Sequence, residues 1–367
     1  MRILFIGLVW IGCTAKQTED SGGVAAEAVD PLDWPVDEAG PYAVGYRSWD
    51  VTYNPGPSTE PRTIRMNVWY PTEETAGTAA LYTIGTDEAS FEDATPIEPV
   101  HAGGFPVHVY SHGYRGYGAS SSFLSRYLAS HGWVTVAPDH TNNTFLDHEE
   151  PLPAAHYFQR PLDVSVALDT LEGLPDGDPL GGKMNTERVL LSGHSFGAYT
   201  TWASLGASFD PDGIGVLCAP DGELDCTPEE EAMFSTDLSD PRVVASLPMA
   251  GTLRRTFFGE QGETTVNGPV LFMSGSKDSV GQEDQFDEMG PIDFTWMEIE
   301  GACHQAFALG ICTDLDQDTG FHIISTVGLS WARATVLNDT DDTVLGILQG
   351  EVVVSELVST ERRQAEE

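Results

Sequence analysis

Positive charge is scarce in this 367-residue chain: 17 Lys and Arg stand against 57 Asp and Glu, for a net charge of −40. Such a balance argues against a nucleic-acid partner, whose phosphates would be repelled, and against anionic membrane surfaces. It speaks to solubility and says nothing of the fold. Metal-ligand spacing is missing as well. There is no C-x-x-C and no H-E-x-x-H, so the zinc patterns that depend on them are not supported. No G-x-G-x-x-G follows a strand pattern, which removes the usual dinucleotide signature. Asp314-Leu-Asp316-Gln-Asp318-Thr-Gly320 places glycine seventh and Ser325 twelfth, where a calcium loop needs glycine sixth and glutamate twelfth. It reads as a solvated helix start. His140, His148 and His156 lie among Asp139, Asp147, Glu149 and Glu150 without a metal-binding spacing, and no cofactor or metal is expected.

Long apolar runs are absent too. The N-terminal run from Ile3 to Ile11 is too short to span a bilayer and suits a secretory signal. Gly12-Cys13 behind it resembles a bacterial lipobox, so residues 1–12 are expected to be a signal peptide of lipoprotein type, with Cys13 as a lipid anchor. Trp10 and the single Arg2 depart from that motif, and an ordinary signal cut elsewhere is the alternative. Residues 13–40 read as a polar tether and 41–367 as one domain. Of five cysteines, removal of Cys13 leaves two sequence-local pairs, Cys218/Cys226 and Cys303/Cys312. Disulfides between them fit an exported protein.

What the sequence has in quantity is short apolar strands alternating with helical patterns. YAVGYRSWDVTY (42–53) and RTIRMNVWYP (62–71) read as strands around a turn. Residues 72–104 read as an irregular excursion. FPVHVYSHG, GWVTVAPD, the run at Val189–Leu191, DPRVVASLPMAG, GPVLFMSGSKD and FTWMEIEG read as buried strands, with helices over 119–130, 160–174 and 320–337. Near-continuous apolar strands alternating with helices predict an α/β fold, a mostly parallel sheet covered on both faces. Residues 207–239, rich in Gly, Pro and acids, read as an insertion that caps the pocket. A polar tail closes the chain.

The chemistry concentrates at Gly193-His194-Ser195-Phe196-Gly197, between an apolar strand and a helix. G-x-S-x-G carries meaning in that setting, where a sharp turn lifts the serine hydroxyl clear of the sheet. Both glycines sit where a side chain would collide with backbone. Ser195 is therefore the candidate nucleophile, and the Phe196 amide at the helix start is a candidate oxyanion donor. In such sites the acid and the histidine follow the nucleophile in that order. Only His304 and His322 lie beyond Ser195. His322 falls within a helix, whereas His304 follows the FTWMEIEG strand, so His304 is the candidate base. Asp278, at the end of GPVLFMSGSKD, is the candidate acid; Asp284 and Asp287 sit on a solvated helix. The loop Ser111-His112-Gly113-Tyr114-Arg115-Gly116 offers the Tyr114 amide as second oxyanion donor. His112, Asp139 and the Arg160/Asp163 pair are expected to brace these loops.

SHGYRG, LASHGWVTVAPDHTNNT, GHSFGAYT and GACHQAF, spread over residues 105–310, resemble the α/β-hydrolase superfamily. The branch they resemble holds platelet-activating-factor acetylhydrolases, dienelactone-hydrolase-like proteins and cutinase-like polyester hydrolases. A serine at 195 departs from true dienelactone hydrolases, which use cysteine. The resemblance implies the same oxyanion donors, Tyr114 and Phe196. It also implies a serine esterase acting on a small or lipid-like ester, with short-acyl esters or oxidised phospholipids first and polyesters as runner-up. Two other readings stay open: a catalytically silent binding protein on the same fold, and a peptidase using the same triad.

Overall fold

The computed structural model describes residues 29–56 and 60–364. An 11-stranded sheet runs in the order β11-β10-β9-β8-β7-β5-β6-β2-β1-β4-β3. Its centre is a parallel block: β6 (Val134–Asp139), β5 (Phe105–Ser111), β7 (Met184–His194), β8 (Val243–Met249), β9 (Val270–Gly275) and β10 (Phe294–Ile299). The hairpin of β1 (Ala43–Tyr53) and β2 (Arg62–Thr72) continues it, with β2 antiparallel to β6. Fold class agrees with expectation.

Alternation along the strands gives each face its own core. Val189 and Leu191 of β7 join α2 (Ala155–Glu172) and α3 (Phe196–Leu205) through Val164, Leu168, Tyr199 and Trp202. Leu190, between them, joins the other face with Leu124 and Leu128 of α1 (Ser122–Ser130) and Ile324 and Val327 of α8 (Gln317–Val336). The chain passes from β5 to β6 on one side and returns to β7 on the other. That order change puts a switch point between β5 and β7. The loops at their carboxyl ends therefore flank a crevice, where open α/β sheets bind ligands.

Several expectations are corrected. Residues 72–104 are not simply irregular: β3 (Ala79–Tyr82) and β4 (Gly85–Glu92) form a hairpin, and β4 pairs parallel with β1. The polar tail contains α9 (Asp342–Gln349) and β11 (Val358–Arg363), which pairs antiparallel with β10. Residues 207–239 fold as α4 (Pro211–Leu217) and α5 (Pro228–Met233), stapled by Cys218–Cys226. This segment packs through Phe209 and Phe234 onto Phe258 and Phe257 of α6 (Arg255–Gly262). None of its described residues lines the clefts at Ser195, so it backs the wall of the site rather than covering it.

The expected tether is described only from Val29. From Pro31 on it is docked: Val36 is buried, and Arg333 donates to the carbonyls of Leu32 and Trp34. The expected signal peptide, residues 1–12, and Cys13 lie outside the described residues. Among the described residues, no helix is long and apolar enough to cross a membrane.

Candidate active site

Ser195 sits between β7 and α3 with φ 56° and ψ −113°, a conformation that costs a non-glycine residue energy and persists only where its surroundings enforce it. The enforcement is steric. A Cβ on Gly193 would lie 2.2 Å from the Gly197 carbonyl oxygen, and one on Gly197 would lie 1.9 Å from that of Ser111. A side chain at Gly197 would push the elbow off β5, and one at Gly193 would force the elbow itself open. The Ser195 amide donates to the Met249 carbonyl at 2.9 Å, which fixes the turn to β8.

His304 follows β10 in a short 3-10 turn, His304–Phe307. Its Nε2 lies 3.0 Å from Ser195 Oγ and its Nδ1 lies 2.8 Å from Asp278 Oδ2. The Asp278 side chain is 7% exposed and that of His304 37%. A largely dry carboxylate thus faces an imidazole that opens to the cleft. Nδ1–H donating to Asp278 leaves Nε2 free to accept the serine proton, the tautomer that general-base catalysis needs. Asp284 and Asp287 lie on α7 (Gln282–Glu288) and His322 on α8; neither acid is His304's partner.

The His304 loop is held from two sides. Cys303, its neighbour, is bonded to Cys312. His194 Nε2 lies 2.8 Å from the His304 carbonyl oxygen, the two rings being 4.8 Å apart. Burial, with the nearby His304 charge adding to it, pulls His194 down to about 4. It is therefore neutral at pH 7 and donates Nε2–H to that carbonyl. The role of His194 escapes sequence reasoning, since it occupies a variable place in G-x-S-x-G; its spacing of one residue from Ser195 is the only signal.

On the other side of Ser195, the Tyr114 and Phe196 residues both line one cleft with it. Neither amide has an acceptor among the described residues, leaving both N–H groups available at the elbow. Behind them lies a buried polar network. His112 Nδ1–H donates to the Gly113 carbonyl at 2.7 Å, and its Nε2 accepts from the His140 amide at 2.9 Å. Arg160 donates to the His112 carbonyl, to Ser111 Oγ at 3.1 Å and to Asn143 Oδ1 at 2.6 Å. Its guanidinium lies over the Phe196 ring at 4.5 Å. The expected Arg160/Asp163 pair is corrected: Asp163 takes both its oxygens' ion-pair contacts from Arg62 at 2.8 Å and also accepts from His140 Nδ1. Burial alone would raise the Asp163 carboxyl, but Arg62 and His140 hold it well below the usual range. Asp139 accepts the Gly118 amide, tying the same loop to the end of β6.

Other sequence candidates go elsewhere. Asp316 caps α8 by accepting the Thr319 amide. His148 lies 3.7 Å from Glu150 and packs edge-on against the Tyr114 ring. Among the described residues no group of three or more His, Cys, Asp or Glu is arranged to hold a metal.

Two clefts meet at the Ser195–His304 pair. One, about 260 Å³, is lined by Tyr114, Leu152, Phe196, Tyr199, Arg254 and Val280. The other, about 350 Å³, is lined by Ile84, Tyr117, Phe145 and the loop after His304, including Leu309.

Comparison with solved structures finds a ferulic acid esterase from Streptomyces cinnamoneus, with a TM-score of 0.62 at 16% identity, covering 90% of this chain and 98% of that one. The fold is that of the α/β-hydrolases. A family model described as Chlorophyllase matches residues 77–209 of the chain, a stretch that takes in the β3–β4 hairpin, the elbow and α3. No curated protein matches it in sequence.

Proposed function

We propose that the protein is a serine hydrolase of carboxylic esters. The observation that carries this is the run Asp278 Oδ2–His304 Nδ1, 2.8 Å, and His304 Nε2–Ser195 Oγ, 3.0 Å, beside two unengaged amides. The solved esterase with the same fold and the Chlorophyllase family match support it.

Ser195 Oγ attacks the ester carbonyl carbon as its proton passes to His304 Nε2. The carbonyl oxygen becomes an oxyanion that the Tyr114 and Phe196 amides stabilise. His304 then returns the proton to the leaving alcohol oxygen, the C–O bond breaks, and an acyl-Ser195 ester remains. Water repeats the sequence from the other side: His304 takes its proton, hydroxide adds, and Ser195 leaves reprotonated with the free acid. Asp278 orients His304 and offsets its positive charge throughout without taking the proton. Tyr114 lines both clefts and Phe196 only the smaller one, which supports the smaller cleft as the acyl side and the cleft beside the His304 loop as the alcohol side. An acyl cleft of about 260 Å³ favours short acyl groups.

A second reading, polyester hydrolysis, draws on the rim of the alcohol-side cleft. Ile84, Phe145 and Leu309 line it and are exposed, a surface suited to a bulky apolar alcohol part. Two disulfides and the N-terminal pattern support export, with Cys13 as lipid anchor.

Initial rates on p-nitrophenyl esters from acetate to palmitate, with Ser195→Ala beside wild type, test the reading. A short-chain optimum lost in the mutant is expected. A long-chain optimum would move the substrate toward lipids or polymers. Wild type as inert as the mutant on every ester would overturn it, leaving the binding-protein and peptidase readings.

A further inference from the structure

The acyl-side cleft is lined by apolar and aromatic side chains, the Ser195–His304 pair, Thr252 and one permanent charge, Arg254. In a chain with 57 acidic residues, most cations are matched: Arg47, Arg62, Arg126, Arg242, Arg255 and Arg333 each hold a carboxylate. Among the described residues Arg254 holds none. Its Nη1 donates to the Tyr157 hydroxyl, and its guanidinium carbon lies 5.4 Å and 5.5 Å from the ring centroids of Tyr157 and Phe257. Nε and Nη2 have no protein acceptor among the described residues.

The backbone carries a second sign. Arg254 has φ 38° and ψ 66°, a left-handed conformation uncommon for a bulky side chain. Ser195, Ala250 and Arg115 also have positive φ and also line the two clefts. Such strain gathers where the surroundings hold a group in place for use. An arginine held beside the stacked Tyr157–Phe257 pair and tied to the Tyr157 hydroxyl has given up part of its side-chain freedom before any ligand arrives, which favours binding. Its remaining N–H groups form a fork that matches a carboxylate.

Resting on the esterase reading, we propose that Arg254 binds a carboxylate on the acyl part of the substrate, so that the protein hydrolyses monoesters of dicarboxylic acids. One guanidinium in a molecule of charge −40 suits a monoanion better than a phosphate dianion, which the surrounding field repels twice as strongly.

The experiment compares mono-4-nitrophenyl adipate, an anionic ester, with its neutral methyl diester, reading release of 4-nitrophenolate as kcat and KM. Enzymes are wild type, Arg254→Gln, Arg254→Lys and, as a charge-matched control, Lys183→Gln, whose side chain pairs with Glu98 on the surface. Arg254→Gln is expected to lower the anionic-over-neutral ratio of kcat/KM by roughly 10–100-fold, chiefly through KM. Arg254→Lys retains part of the ratio and Lys183→Gln leaves it unchanged. A ratio unaltered by Arg254→Gln, or both esters falling equally because Arg254 only packs on Tyr157, would overturn the proposal while the esterase reading stands. Wild type inert on both esters would overturn the two together.

Discussion

Lowering the pH from 7.5 to 5.0 should destabilise the fold, because it stores buried, uncharged histidines. Burial holds His108 and His140 down at about 3 and His131, His156 and His194 at about 4. His112 and His101 are lowered for the same first cause. In the unfolded chain each titrates near 6.5, so between pH 6.5 and 4 the unfolded state binds more protons than the folded one. Stability then rises with pH across that window and is lost as pH falls. A histidine moved from about 6.5 to about 4 loses about 2 kcal/mol of its contribution at pH 5. The five held at about 3 to 4 together reach roughly 10 kcal/mol, comparable with the whole stability of a domain, and His112 acts in the same direction. Half of that would lower Tm by on the order of 10 °C. Asp139 and Glu263, raised by burial, oppose the effect at lower pH. Circular dichroism melts at fixed ionic strength read it, independently of activity. A Tm that moves by less than about 2 °C between pH 7.5 and 5.0 would refute the reasoning.

Three further outcomes follow from the elbow and its supports. Gly197→Ala puts a Cβ 1.9 Å from the Ser111 carbonyl oxygen; a loss of about 3 kcal/mol or more is expected in denaturant unfolding, and wild-type stability would contradict the placement. Cys312→Ser frees the loop that Cys303 anchors beside His304. It should cost about 3 kcal/mol by loop entropy and lower kcat more than KM; an unchanged kcat would show that Asp278 and His194 suffice to hold His304. Asp278→Asn keeps the shape and removes the charge, with kcat expected to fall by about 10⁴-fold, read on p-nitrophenyl acetate.

The parts of the fold that were legible are those where local sterics or burial constrain residue type. Gly193 and Gly197 are forced by backbone contacts below 2.3 Å, and the central strands are buried on both faces, so each reads as an apolar run. The strands that escaped notice lie toward the edges. Leu81, Thr86 and Glu88 of the β3–β4 hairpin and Glu361 and Arg362 of β11 face outward, so no alternation or apolar run marks them. Their pairing is set by β1 and β10, far away in sequence. At the site, Ser195, Asp278 and His304 were legible because each ends a strong strand and chain order constrains the roles. Arg62 with Asp163, His194 with the His304 carbonyl, and Arg254 in the smaller cleft were not. Each meets its partner only through tertiary contact, and residue type alone carries no sign of it. The insertion at 207–239 shows the same limit: its composition marks a surface segment, but only Phe209 and Phe234 meeting α6 decide which surface.

Covalent labelling with a fluorophosphonate, followed by mass spectrometry of the digested protein, bears most directly on the nucleophile. Reaction requires a serine that a neighbouring base activates. An adduct on Ser195 in the wild-type protein, lost in Ser195→Ala and strongly slowed in His304→Gln, is the expected result. A folded wild-type protein that stays unlabelled at Ser195, or is labelled equally fast in His304→Gln, would contradict a serine hydrolase built on these residues.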